Sequence, residues 1–373
     1  PNTFVAVVGC YAQTGSEALK QIDGIDLIAG NQDKLQIVDY IADLAKTSRP
    51  RVLRSRMTRE PFTIPYAIHD LPTTRANLKI QDGCDFMCSF CIIPFARGRA
   101  RSRAFWDIQR EAMHLVESGF KELVLTGVNI GTYAFEGKSF LDVVKMLLGI
   151  PGLQRLRISS IEPTTIPPEL LDLMADSDVL CPHLHIPVQS GSDAVLKAMK
   201  RLYTVGEFLD FVDLAVQKVP GILIGTDIMV GFPGETDADF SQSCQLLQDS
   251  PIAYAHAFTY SERQGTASSR LPGKISPQDK KARSQTIHQI SDKKKLQFYR
   301  QHLGKTVRVL TEEKDAVGRW IGFSDNYIKT AIEAPDLAAN QLVSVKLQAI
   351  QNNMAVGAIN PSNENHEADS EKF

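Results

Sequence analysis

Short apolar runs alternate with segments of helical period along most of the chain. Phe4-Val-Ala-Val-Val-Gly-Cys10 predicts a buried strand ending at a glycine turn, and Ser16 to Ile22 a helical stretch. Leu27 to Gly30 predicts a second strand and Asp33 to Lys46 a helix, the pattern of an α/β unit with a parallel sheet. The Arg-, Pro- and Thr-rich segment 47–75 reads as a connection. Beyond it, strands are predicted at Lys121–Gly127, Arg155–Ser160, His183–Pro187, Ile222–Gly231 and Tyr254–Tyr260. Helices are predicted between them, at Phe105–Ser118, Ala194–Met199 and Val205–Lys218. Repeated βα units of this kind build a parallel sheet or barrel, with ligands at the C-terminal strand ends.

The period changes again near the end. Ser276 to His302 predicts one helix carrying Lys280, Lys281, Arg283, Lys293, Lys294, Lys295 and Arg300, either a solvated basic face or part of a track for phosphates. Thr306–Leu310, Gly318–Phe323, Tyr327–Ile332 and Leu342–Leu347 then alternate as strands of a small antiparallel β-barrel. Asn360 to Phe373 is polar and acidic and is expected to be disordered.

Composition adds limits. With 43% hydrophobic and 23% charged residues the chain is that of an ordinary globular protein, and a net charge of −2 leaves nucleic-acid binding to local patches. No apolar run reaches a membrane span, no signal sequence is visible, and Cys10, Cys181 and Cys244 have no disulfide rhythm. A reducing cytoplasm is the expected compartment.

The other three cysteines carry the chemistry. Ile-Gln-Asp-Gly-Cys84-Asp-Phe-Met-Cys88-Ser-Phe-Cys91 is C-x3-C-x2-C, three thiolates in one loop. A structural zinc site wants a fourth Cys or His at short spacing, and none follows. Ferredoxin runs space their cysteines differently. Three ligands for a 4Fe–4S cube leave one iron open to a chelating small molecule.

The loop continues into Ile92-Ile-Pro-Phe-Ala-Arg97-Gly-Arg-Ala-Arg101-Ser-Arg103. Further on come Leu125-Thr-Gly-Val-Asn-Ile-Gly, Ser159-Ser-Ile-Glu162-Pro, His185-Ile-Pro-Val-Gln189-Ser-Gly-Ser, Met199-Lys-Arg201-Leu-Tyr203 and Gly225-Thr-Asp227-Ile-Met-Val-Gly-Phe-Pro-Gly-Glu235. This ordered set resembles the radical SAM methylthiotransferases over nearly the whole chain. The resemblance implies part of an α/β methylthiotransferase domain over 1–70, a radical SAM partial (β/α) barrel over 71–302, an RNA-binding TRAM β-barrel over 303–366 and a disordered tail over 367–373. The wording Cys-Ser-Phe-Cys-Ile-Ile-Pro and Gly322-Phe-Ser-Asp-Asn326-Tyr327-Ile-Lys is most similar to the branch acting on N6-threonylcarbamoyladenosine at tRNA position 37. Sister branches act on isopentenyladenosine at that position or on an aspartate of a ribosomal protein.

The resemblance also implies roles. Cys84, Cys88 and Cys91 would hold a 4Fe–4S cluster whose open iron binds S-adenosylmethionine (SAM), and a radical from SAM would take hydrogen from carbon 2 of adenine. Phe90, Gly127, Asn129, Glu162, Gln189, Arg201 and Asp227 would surround SAM, Arg201 taking its carboxylate and the acidic pair its ribose or positive groups. Arg97, Arg99, Arg101 and Arg103 would meet substrate phosphates or pair with carboxylates in the barrel. Trp320, Phe323, Tyr327 and Lys329 would offer stacking and charge to RNA. His183 and His185 are expected as hydrogen-bonded core residues. Partners would be the tRNA anticodon loop and a flavodoxin- or ferredoxin-type electron donor; the sulfur donor stays open.

Cys10 matches the last of three cysteines that hold an auxiliary 4Fe–4S cluster in the family. The other two would lie upstream, so the sequence is expected to lack the first part of that domain and, as written, to be unable to hold the auxiliary cluster normally. A different radical SAM activity stays possible on sequence grounds. So does an RNA-binding protein with a structural metal site, although that reading leaves Gln189, Arg201 and Asp227 unexplained.

Overall fold

The computed structural model describes residues 3–40, 46, 49–64, 73–334 and 336–359. The tail expected to be disordered, and the end of the helix expected over 33–46, lie outside them. What is described of that helix is a short turn at Lys34–Gln36 followed by Ile37–Tyr40.

The N-terminal unit is a three-stranded parallel sheet of β1 (Ala6–Val8), β2 (Leu27–Ala29) and β3 (Arg51–Leu53). Two short helices, α1 (Cys10–Thr14) and α2 (Ser16–Leu19), cover it. Strand β3 corrects the reading of 47–75 as a plain connection. Its three residues are too few to show a period, yet it pairs along all of β2.

The central region begins with β4 (Arg75–Lys79), which starts at the last residue of that segment, followed by β5 (Glu122–Thr126) and β6 (Arg155–Ile158) in one parallel sheet. A second parallel sheet contains β7 (His183–His185), β8 (Leu223–Val230) and β9 (Tyr254–Thr259). Parallel bridges at Leu156–Leu180 and Ser160–His185 join the two into an open barrel whose edges are β4 and β9. Leu123, Leu125, Leu156, Ile158, Leu184 and Ile224 are all but inaccessible to solvent, as expected of strands covered on both faces. Among the covering helices, Val205–Lys218 starts where the sequence says it should. Thr204 accepts the amide of Glu207, whose carboxylate takes back the amide of Thr204.

The C-terminal region is a closed barrel of β10 (Thr306–Lys314), β11 (Trp320–Ser324), β12 (Lys329–Ile332), β13 (Leu342–Gln351) and β14 (Met354–Ile359). It is not wholly antiparallel as predicted, because the unforeseen β14 runs parallel to β12 and closes the sheet. The turn Ser324–Tyr327 plugs into the floor of the open barrel. Arg155 donates to the carbonyls of Phe323 (3.0 Å) and Ser324 (2.7 Å), and Arg157 to that of Asp325 (2.9 Å). Both arginines face Glu122, which is fully buried. Three buried charges and a row of carbonyls thus fix one barrel on the other.

Candidate active site

Backbone geometry shapes the cysteine loop before any cofactor does. Gly83, at φ +71°, turns the chain out of the buried β4 side, and a Cβ there would lie 2.1 Å from the carbonyl oxygen of Arg99. The amide of Cys84 donates to Gly98 at 3.1 Å. Ser89 is held on both sides, its amide on the Met199 carbonyl (2.9 Å) and its hydroxyl on that of Ala198 (2.8 Å). Phe90 seals the loop against Val195, Met199, Phe232 and Tyr260.

The three thiols are free, half-buried and near enough to influence one another. Burial, helped by Cys88 and Cys91, pushes the Cys84 thiol up to about 11, and burial likewise raises Cys91. Thiols in such surroundings ionise only beside a strong positive charge, which a bound iron centre supplies. Arg201 adds a fixed one, its Nη1 donating to Cys88 Sγ at 3.3 Å. The donor set therefore fits an iron–sulfur cluster.

Arg201 is 3% exposed and fully engaged. It pairs with Glu162, donates from Nε to the Tyr203 hydroxyl at 3.0 Å, and lies over the Tyr203 ring. Burial raises Glu162 above the usual carboxylate range, and the Arg201 charge works against that rise. The guanidinium expected to take the SAM carboxylate is engaged in this structure by Cys88 and Glu162.

The remaining predicted cofactor residues surround the same end of the barrel. After β5, Gly127 admits no side chain, since a Cβ would meet Ile130 at 2.7 Å and the Gln81 carbonyl oxygen at 3.0 Å. Asn129 is 1% exposed; its Oδ1 accepts from Thr165 at 3.1 Å, while its Nδ2 has no partner among the described residues. Gln189, at φ +72°, ties its main chain to Asp227 and Met229. Asp227 accepts from His185 Nε2 at 2.9 Å and lies 3.4 Å from His256 Nδ1. Burial favours its neutral form, but those two imidazoles bring it down to about 2. His185 also meets the Tyr254 hydroxyl at 3.1 Å, as a hydrogen-bonded interior residue should, and His183 is buried against the Tyr327 ring.

The arginine run divides. Arg103 is 1% exposed, on Asp107 at 2.6 Å and on Glu111, so it clamps a helix and is withdrawn from the phosphate contacts. Arg97 (3.0 Å) and Arg101 (3.4 Å) share Asp82 with Lys79; burial raises Asp82, and Lys79 and Arg97 bring it down to about 2. Arg99 is the exposed one, 3.8 Å from Asp85. Trp320 is also withdrawn, because its side chain belongs to the small barrel's own core beside Val309, Ile328 and Val345.

Phe323, Tyr327 and Lys329 instead line a cavity of about 970 Å³ at the gap between β4 and β9. Arg75, Arg157, His256 and Asp227 share its wall. The Phe323 and Tyr327 rings stack at 4.7 Å, with the Arg75 guanidinium 5.0 Å from the Phe323 centroid. Cys10 lies apart from the three-cysteine loop but beside the helix that follows it. Asn31 Nδ2 donates to Cys10 Sγ at 3.4 Å and to the Ala96 carbonyl at 2.8 Å.

Three contributors escaped the sequence reading. Gln81 is fully buried and its Oε1 accepts the amides of Val128 (3.0 Å) and Asn129 (2.9 Å). A polar pair between an apolar strand and the glycine turn was its signal, and it served for Asp82 too. His256 could have been placed from strand parity, since Tyr254, His256 and Phe258 share a face.

A radical SAM superfamily profile matches residues 78–247, the stretch that holds the cysteine loop and most of the open barrel. The chain is 34% identical over 360 residues to the threonylcarbamoyladenosine tRNA methylthiotransferase MtaB of Bacillus subtilis, covering 93% of this chain and 79% of that protein. It is 34% identical over 324 residues to the tRNA-2-methylthio-N(6)-dimethylallyladenosine synthase of Neorickettsia sennetsu, covering 83% and 68%. The radical SAM methyltransferase TsrM of Kitasatospora setae has a TM-score of 0.44 at 18% identity, covering 52% of this chain and 38% of that one. The open parallel barrel, its three-cysteine loop and these relatives define a radical SAM enzyme. The chain belongs to the radical SAM methylthiotransferase family.

Proposed function

We propose that this enzyme adds a methylthio group to carbon 2 of N6-threonylcarbamoyladenosine at position 37 of tRNA. The observation that carries the reading is that the B. subtilis, Aquifex aeolicus, Thermotoga maritima and Rickettsia prowazekii proteins named for this activity align over 88–94% of the chain. Dimethylallyladenosine is the second reading, favoured by relatives of similar identity that bear that name.

Cys84, Cys88 and Cys91 would hold the 4Fe–4S cluster, which when bound supplies the electron that splits SAM into methionine and a carbon radical. Arg201 would balance thiolate charge at Cys88 while Glu162 keeps it oriented. Asn129 Nδ2, buried without a partner among the described residues, is a donor ready for a SAM acceptor. Gly127 and the Gln189 turn would keep backbone close to the cofactor, and Asp227 would remain an anion at neutral pH beside SAM or the target base. Cys10 supplies one thiolate toward an auxiliary cluster, fewer than a cube requires; that cluster and a flavodoxin- or ferredoxin-type donor are parts of the full reaction we propose. The tRNA anticodon loop would enter at the gap between β4 and β9, guided by Arg99 and the small barrel.

Incubating the reconstituted, reduced enzyme with SAM, a sulfide source and anticodon stem-loops tests this. Methylthiolation of the threonylcarbamoyl substrate is expected, and turnover of only the dimethylallyl substrate would transfer the chain to the sister activity.

A further inference from the structure

We infer that Lys295 and Lys329 form an anion subsite in the cavity and hold the carboxylate of the N6 side chain on the target adenosine. This rests on the substrate proposed above.

The two lysines reach the cavity from different elements. Lys295 lies on the helix Pro277–Arg300, four residues before Tyr299 and so on the same face. The Tyr299 hydroxyl accepts the backbone amide of Lys329 at 3.1 Å, which seats the start of β12 on that face. Both lysines line the cavity.

Their charges are unanswered. Among the described residues neither ammonium has an ion-pair partner. The other fixed cations of the wall are spent: Arg75 on Glu312 (2.7 Å) and Arg157 on Glu122 (2.7 Å). The wall's carboxylates are also committed, Asp227 to His185 and Glu312 to Arg75, except for Glu313, which is exposed. Two unpaired ammoniums in a partly enclosed cavity favour an anionic guest.

A threonylcarbamoyl group carries one carboxylate, whereas a dimethylallyl group carries no charge and gains nothing from these lysines. The subsite therefore separates the two substrates named among the relatives. A tRNA phosphate is the other source of an anion, and the test distinguishes the two.

The experiment measures binding of the reconstituted protein to three fluorescent anticodon stem-loops, with threonylcarbamoyladenosine, unmodified adenosine or dimethylallyladenosine at the target position. Wild type, the Lys295→Met/Lys329→Met double variant and the double Lys→Arg variant are compared. Wild type should bind the threonylcarbamoyl loop roughly tenfold or more tightly than the unmodified one, the scale of a charged hydrogen bond. The double Met variant should bind the threonylcarbamoyl and unmodified loops within about twofold of each other, and the double Arg variant should keep part of the preference. Equal weakening on all three loops assigns the lysines to phosphate and overturns the subsite. A preference that survives in the double Met variant overturns the subsite alone. Wild-type preference for the dimethylallyl loop overturns the substrate reading and the subsite with it.

Discussion

Arg201 Nη1 lies 3.3 Å from Cys88 Sγ while Nη2 of the same guanidinium is paired with Glu162. A half-buried carboxylate at the end of one sheet thus holds a buried cation against the cysteine loop. The loop is positioned by this pair and by the Ser89 hydrogen bonds, and its thiols wait only for the charge that ionises them.

Arg201→Met should leave the half-buried Glu162 unpaired, costing about 2 kcal/mol of stability in thermal or denaturant unfolding. Adding Glu162→Gln should recover most of that stability without recovering SAM cleavage. A double variant that cleaves SAM normally would show the pair to be a packing device only.

Replacing Cys84, Cys88 or Cys91 with Ala should abolish cluster incorporation and reductive SAM cleavage while leaving the melting temperature of the apoprotein nearly unchanged. The measurements are iron and sulfide content and 5′-deoxyadenosine formation. Cleavage retained by any one variant would remove that cysteine from the ligand set.

Gly83→Ala should lose the cluster as completely as a cysteine variant, though it removes no ligand. At φ +71° with a carbonyl 2.1 Å from the new Cβ, the loop cannot keep its turn. Normal iron content in this variant would mean that the turn is not what places Cys84.

Asp82 and Asp227 are both held at about 2, below their unfolded values of roughly 3.9. A depressed carboxylate contributes stability that is complete above its unfolded value and is lost as pH falls toward its folded one. Each should contribute about 2 kcal/mol at neutral pH that disappears between about pH 4 and pH 2. Unfolding free energy followed against pH should show a shallower acid limb in Asp82→Asn and Asp227→Asn, and limbs parallel to wild type would contradict the assignment.

Much of this was readable in advance. The barrel strands from Lys121 to Tyr260 announced themselves largely as apolar runs ending in glycine or a polar residue, and the helix predicted over Val205–Lys218 has those bounds. What was hidden had physical reasons. Arg51–Leu53 and Arg75–Lys79 are short and arginine-bearing, so composition masked them, yet a parallel neighbour satisfies their backbone. Met354–Ile359 was invisible because closing a barrel is a tertiary event. Spacing found the three cysteines and the resemblance found Arg201, but only packing reveals that its fork is already occupied. The same holds for Arg103 and Trp320, which look exposed in sequence and are buried, Arg103 on Asp107 and Glu111 of the helix that follows it and Trp320 in the core of the small barrel. The wording Ser324-Asp325-Asn326-Tyr327, which marked the resemblance to one branch, turns out to be the plug between the barrels, a structural duty as much as a recognition one.

The central claim is most directly tested by mass spectrometry of tRNA nucleosides from a host that lacks its own enzymes of this family and expresses this one with both clusters assembled. Appearance of 2-methylthio-N6-threonylcarbamoyladenosine is the predicted result. Its absence, with the methylthio group found instead on dimethylallyladenosine, would contradict the account.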